Sequence, residues 1–157
     1  MASSLPKPRP LASLLADGRF SAEAMALLRG AAAETTRLGH RFISGEHLLI
    51  ALIASDGPTG QVFREAGAAA EQARSRVEFI VPHDPPFLAP KEMAVSPRLI
   101  ALLEDTAEAA EGMETHVEAP DLALALLRDP EGIPSRVLDE CHINTRALIQ
   151  RLRLLRG

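Results

Sequence analysis

FSAEAMALLRGAAAETTRLGHRFISGEHLLIALIASDGPTGQVFREAGAAAEQARSRVEFI (residues 20–80) and VSPRLIALLEDTAEAAEGMETHVEAPDLALALLRDPEGIPSRVLDECHINTRALIQRLRLL (residues 95–155) align without a gap at a constant offset of 75 residues. Identities include Ser21/Ser96, Leu27/Leu102, Leu28/Leu103, Leu49/Leu124, Leu52/Leu127, Gly57/Gly132, Val62/Val137 and Glu65/Glu140. Phe42/Val117, Phe63/Leu138 and Glu46/Asp121 are conservative pairs. Most shared positions are apolar or turn residues, which is what a duplicated core preserves. Self-similarity at a fixed period is the mark of a repeat architecture.

Each copy reads as four helices. Ser21 and Ser96 are good N-caps, and Ala24, Leu27, Leu28 and Ala31 follow the first at helical spacing. A break at residues 38–44 and 113–119 precedes a second helix carrying Leu48, Leu49 and Leu52, matched by Ala123, Leu124 and Leu127. Pro120 suits the opening turn of its helix. The turns SDGPTG and DPEGIPS lead into short third helices, residues 59–66 and 134–141. Fourth helices follow over 70–81 and 145–156, with Asn144 capping the latter. Such short helices are marginal alone. The expected fold is therefore all-α: two pseudo-symmetric four-helix repeats packed as one eight-helix domain. Repeat one spans 20–80 and repeat two 95–155, within a domain of 20–157. The proline-rich segment VPHDPPFLAPKEMA (81–94) reads as an extended linker. MASSLPKPRP, with three prolines in ten residues, opens a flexible tail over 1–19.

Composition agrees. Of 157 residues, 46% are apolar, with five Phe and neither Trp nor Tyr. Ala and Leu outweigh the β-branched residues, which favours helices. The net charge of −4 argues against a general nucleic-acid binder, and Arg at helical spacing in RALIQRLRLLR reads as a solvated face. A single cysteine, Cys141, excludes an internal disulfide and a cysteine-based zinc site; it reads as a small buried side chain. No apolar run approaches the ~20 residues of a membrane span, and the N-terminus lacks the apolar core of a secretory signal. The expectation is a cytoplasmic monomer without membrane contact.

GHRFISGEHLLIAL (39–52) gathers His40, Glu46 and His47 within eight residues. The acid recurs as Asp121, but Leu122 and Thr115 stand opposite His47 and His40. The H-E-x-x-H spacing that puts two histidines on one helical face is absent, so no metal site and no cofactor are expected. With Ser44 as N-cap, Glu46 lies in the first helical turn, where the dipole and free N–H groups favour a carboxylate by roughly 0.3–1 kcal/mol. Asp121 reads the same way. A helix-capping role accounts for both acids. A binding role, with each carboxylate facing outward to take a cationic group in bidentate geometry, accounts for them equally.

FSAEAMALLRGAAAETTRLGHRFISGEHLLIALI resembles the Clp N-terminal (Clp R) domain, whose hallmark is two copies of a pattern like F-T-x-R-A … L-G-H-x-x-I-G-T-E-H-L-L. The resemblance covers 20–155, more closely in repeat one, and LGHRFISGEHLL is its most specific motif. It implies a non-catalytic module that binds protein or peptide substrates, degrons or adaptors of the ClpA, ClpB and ClpC unfoldases. In ClpC-like domains the acid of each G-T-E-H motif takes the guanidinium of a phosphorylated arginine, beside the hydroxyl residue that opens the first helix. By position this implies Glu46 with Ser21 and Asp121 with Ser96. Arg98 matches the basic residue of the family's T-P-R-A pattern; Glu23 stands in its place in repeat one, and Gly45 and Pro120 stand where the family has Thr. No G-x-x-x-x-G-K-S/T loop occurs, and the expectation is a stand-alone domain without the AAA+ ATPase. Two other readings remain open from the residues alone. One is a small regulatory helical protein with capping carboxylates and no Clp role. The other is a metal-dependent hydrolase using His40, Glu46 and His47. Phe20, Phe42, Phe63 and Phe87 are candidates for apolar binding surface or for core.

Overall fold

A computed structural model describes residues 5–85 and 93–156. Repeat one comprises α2 (Ala22–Arg37), α3 (Gly45–Ala54), α4 (Pro58–Glu65) and α5 (Ala70–Ile80). Repeat two comprises α6 (Pro97–Gly112), α7 (Ala119–Leu127), α8 (Ile133–Glu140) and α9 (Thr145–Arg156). The 75-residue offset holds for the starts of three of the four helix pairs. Ser21 and Ser96 cap as expected, their hydroxyls accepting from the N–H groups of Ala24 and Leu99.

The backbone repeats too. Gly39 and Glu114 end their first helices in the left-handed region, at φ 71° and 57°. Gly67 and His142 do so at the second such turn, at φ 104° and 59°. Only glycine enters this region without steric cost, so repeat two keeps the turns and forgoes the residues that make them easy.

The repeats interlock. α3 and α7 are apolar all round and form the centre: Leu48, Leu49, Leu52 and Ile53 are fully buried, as are Leu122 and Ala123. Burial of each large aliphatic side chain contributes roughly 1.5–3 kcal/mol. Each repeat's third helix packs on the other's fourth, α4 on α9 and α5 on α8. The ion pairs there are copies of one another. Arg76 bonds Glu140, Nε to Oε1 at 3.0 Å, and Arg151 bonds Glu65. All four residues are related by the same offset. Arg151 holds the Glu65 carboxyl below its ordinary range, and Arg136 with Arg76 does so for Glu140.

Three features depart from the sequence-based expectation. Segment 1–19 is not simply a tail: Leu11–Leu15 forms a short helix, α1, because Leu11 and Leu14 bury themselves in the common core. Nine helices are therefore present among the described residues, not eight. The fold also carries a small sheet of β1 (Arg9–Pro10), β3 (Ala94–Val95) and β2 (Phe42–Ile43), in that order. β2 pairs parallel with β3, while β1 pairs antiparallel with it. Part of the expected linker is thus strand, and Asp84 within it accepts from the Arg41 N–H at 2.8 Å. Phe20 and Phe63 belong to the core, Phe42 is half-buried, and Phe87 lies outside the described residues. Cys141 is half-buried.

Candidate functional site

The β2–β3 pairing positions the site. It joins the approach to α3 to the approach to α6, with the Ser96 N–H donating to the Ile43 carbonyl at 2.9 Å. Two helix N-termini, one from each repeat, therefore emerge side by side. The cleft between them, about 290 Å³, is lined by Ser44, Gly45, Glu46, Ser96, Arg98 and Asp129 among polar and backbone elements. Leu99, Leu102, Leu126, Ile133 and Pro134 make its apolar wall. A Cβ on Gly45 would stand 3.1 Å from the Pro134 ring and 3.2 Å from Leu126. Glycine at this position lets α8 close against α3.

Glu46 sits at the floor, only 6% exposed. The expectation that it faces outward is corrected here: α8 and α7 close over the first turn of α3. Burial raises its pKa, opposed in order by its own backbone N–H, His40 and Arg98. Among the described residues no cation forms an ion pair with it. Arg98 stands at the rim and is held by Asp129, Nε to Oδ2 at 3.1 Å.

The implied pairing by position is also corrected. Glu46 shares its cleft with Ser96 and Arg98, not with Ser21. Each repeat's lead-in pairs with the other repeat's loop, so the partners cross over. Ser21 lies on the opposite junction, its N–H donating to the Val117 carbonyl at 2.9 Å.

Asp121 is placed differently again. α7 begins one residue earlier than α3 does, so Glu118, not Ala119, is its N-cap. Asp121 becomes the third residue of the helix, where its Oδ2 accepts the Glu118 N–H at 2.9 Å. Its Oδ1 accepts from Arg156 Nε at 2.8 Å, and Arg156 also donates to Thr115 Oγ1 at 2.9 Å. Sequence reasoning missed Arg156, which lies in a helical arginine pattern that looks solvated. It missed Asp129 as well, and neither carries a local motif.

His40 and His47 meet, which spacing alone did not show. The Ser44 N–H donates to His47 Nδ1 at 2.9 Å, so a neutral His47 carries its proton on Nε2. That proton is donated to His40 Nδ1 at 2.7 Å, and His40 Nε2–H donates to the Val81 carbonyl at 3.1 Å. Every ring nitrogen is satisfied. Burial, then the neighbouring His40, lowers the His47 pKa to about 3. Among the described residues no group of three His, Cys, Asp or Glu side chains is arranged to hold a metal ion, and no helix is long and apolar enough to cross a membrane.

The sequence matches a known family over repeat one and the start of repeat two. The sequence pattern of the Clp repeat (R) N-terminal domain matches residues 19–121. An ATP-dependent Clp protease ATP-binding subunit ClpA homolog from Guillardia theta is 32% identical over 140 residues, 87% of this chain. The chain spans only 17% of that protein's length. Among solved structures, the N-terminal domain of the Arabidopsis thaliana chaperone ClpD superposes with a TM-score of 0.72 at 22% identity, covering 89% of this chain and 96% of that one. The ClpV N-domain in complex with a VipB peptide gives 0.62 at 20% identity, covering 97% of each. The interlocked double repeat and its matching pattern make this chain a member of the Clp repeat (R) N-terminal domain family.

Proposed function

We propose that this chain is a non-catalytic protein-binding module of a Clp chaperone–protease system, whose cleft takes a guanidinium-bearing side chain from a substrate, degron or adaptor. The single observation that supports this is Glu46: a buried carboxylate on the floor of an apolar cleft with no cation paired to it among the described residues. Burying a charge without a partner is costly, and a planar cationic ligand offsets that cost. Apolar neighbours of the arginine in a bound peptide would lie on Leu99, Leu102 and Ile133. A phosphorylated arginine fits the same scheme, with the Ser96 hydroxyl and Arg98 near the phosphate, once Arg98 exchanges Asp129 for it. The peptide seen on the related ClpV domain supports peptide capture as the general activity.

Asp121 favours the capping reading in repeat two, because Arg156 and the Glu118 N–H already use both of its oxygens. The module therefore offers one acidic site, not two. Fluorescence anisotropy tests this with a labelled peptide carrying one phosphoarginine, alongside its arginine and lysine counterparts. The arginine forms are expected to bind, with Glu46→Gln weakening them about tenfold or more. Asp121→Asn is expected to leave binding unchanged. Equal binding to Glu46→Gln and the unaltered protein would refute the assignment.

A further inference from the structure

We infer that a second docking groove, built from α6, α7 and α9, receives an acidic amphipathic protein segment. The groove is about 360 Å³. Its apolar lining is Ala109, Ala110, Met113, Leu124, Leu127 and Ile149, and Arg128, Arg153 and Arg156 stand around it. It lies away from the Glu46 cleft and does not depend on the reading of that cleft.

The duplicated repeat supplies the control. Repeat one has the corresponding helices, yet a polar strap bridges its α2 and α5. Glu34 and Arg74, the counterparts of Ala109 and Ile149, span from α2 to α5 as a two-bonded ion pair at 3.0 and 2.7 Å. Leu38 and Ile50, the counterparts of Met113 and Leu124 in the helix frames, are buried there; Leu38 is 6% exposed, whereas Met113 is 69% exposed. Replacing the strap by a methyl group and an aliphatic chain removes the polar cover and leaves apolar surface open to water. A single exposed Met needs no explanation, but a continuous apolar trough does.

Charge identifies the occupant. In the helix frames Ala54, Glu78 and Val81 are the repeat-one counterparts of Arg128, Arg153 and Arg156, so none of these three positions carries a cation in repeat one. Arg156 is committed to Asp121 and Glu118. Arg128 and Arg153 form no ion pair among the described residues. An apolar floor between two uncommitted guanidinium groups, on a chain of net charge −4, suits a segment with apolar side chains on one face and carboxylates beside them. An apolar helix face in such a groove is a recurrent recognition mode.

The test uses a fluorescein-labelled peptide of leucine and glutamate patterned as one amphipathic helix, and the same peptide with lysine for every glutamate. Anisotropy is read against the whole chain at two salt concentrations. The acidic peptide is expected to bind, and more weakly at high salt. Arg128→Glu with Arg153→Glu, both exposed, is expected to weaken it about tenfold or more. Ala109→Glu with Ile149→Arg transplants the repeat-one strap and is expected to close the groove with an unchanged circular dichroism spectrum. Glu46→Gln is expected to bind the probe as well as the unaltered protein does. Equal binding of both peptides, or of neither, overturns the inference. So does loss of binding in Glu46→Gln. Concentration-dependent self-association that the transplant abolishes also overturns it, making the groove a contact between copies.

Discussion

Glu46 and Asp121 stand 75 residues apart, each in the first turn of the central helix of its repeat, and their surroundings differ in every respect that matters for binding. Glu46 is buried on a cleft floor with no paired cation, while the neighbouring N3 position is held by His47. Asp121 is itself the N3 residue, and it holds Arg156 besides. One extra residue at the start of α7 makes the change. It moves the acid one step along the helix, from the second position, where no cation pairs with it among the described residues, to the third, where it bonds its own N-cap. A gap-free alignment therefore equates two residues that the helix frames do not. The two repeats share a scaffold, and a one-residue difference in helix start gives the two acids different partners.

The largest expected difference between the repeats is in acid sensitivity, and it lies in repeat one. His47 has a folded pKa of about 3 against 6.5 when exposed. Its stabilisation is therefore present above 6.5 and lost as the pH falls through that window, by about 1.4 kcal/mol per pH unit. Glu46 works in the opposite sense. Its folded pKa lies above 4.5, so its contribution is greatest below 4.5 and is lost as the pH rises through the folded value. Urea titrations across this range should show falling stability on acidification, steeper in Glu46→Gln, which lacks the opposing group. Glu46→Gln should also be more stable than the unaltered protein at neutral pH.

His47→Leu installs the residue that the gap-free alignment sets opposite it, Leu122. It strands the Ser44 N–H and one nitrogen of His40 inside the protein, at a cost of about 3 kcal/mol. The same variant should lose most of the acid slope. If its slope is unchanged, the histidine pair is not its source. A smaller effect, about 1–2 kcal/mol, is expected from Arg156→Ala, which removes a charge-assisted hydrogen bond from Asp121. If repeat two's acid is merely occupied, this variant should bind two phosphoarginine peptides per chain in a calorimetric titration. If the shifted helix start has disabled it, the stoichiometry stays at one.

Much of this was legible in the sequence because the core repeats at a fixed spacing. Helix order, the caps Ser21, Ser96 and Asn144, and the central apolar helices follow from local patterns that long-range packing reinforced. What stayed hidden depends on chain segments meeting from a distance. Ser96 and Arg98 reach Glu46 only because β2 and β3 pair across the repeats. Arg156 reaches Asp121 only because α9 packs on α7. Leu11 and Leu14 enter the core from a segment whose prolines suggest a tail. The N-cap of α7 was also hidden, since Glu118 is not a residue that favours this position and its choice is settled by Asp121 accepting the Glu118 N–H.

The smallest expected effect concerns the left-handed turn at the end of each first helix. Gly39 and Glu114 occupy it at φ 71° and 57°. A Cβ on Gly39 would also meet the His83 Cβ at 3.3 Å. Gly39→Ala should therefore destabilise by about 1 kcal/mol. Glu114 already bears the steric cost of a side chain in this region, so Glu114→Gly should relieve it. The gain is limited by the greater freedom of glycine in the unfolded chain and should be about 0.5 kcal/mol. Opposite signs at two positions related by the repeat, measured by denaturant midpoint at constant m-value, would show that the turn geometry is inherited while the residue is not. If Glu114→Gly destabilises, the Glu114 side chain makes a contribution that outweighs its backbone strain, and the two turns are not equivalent.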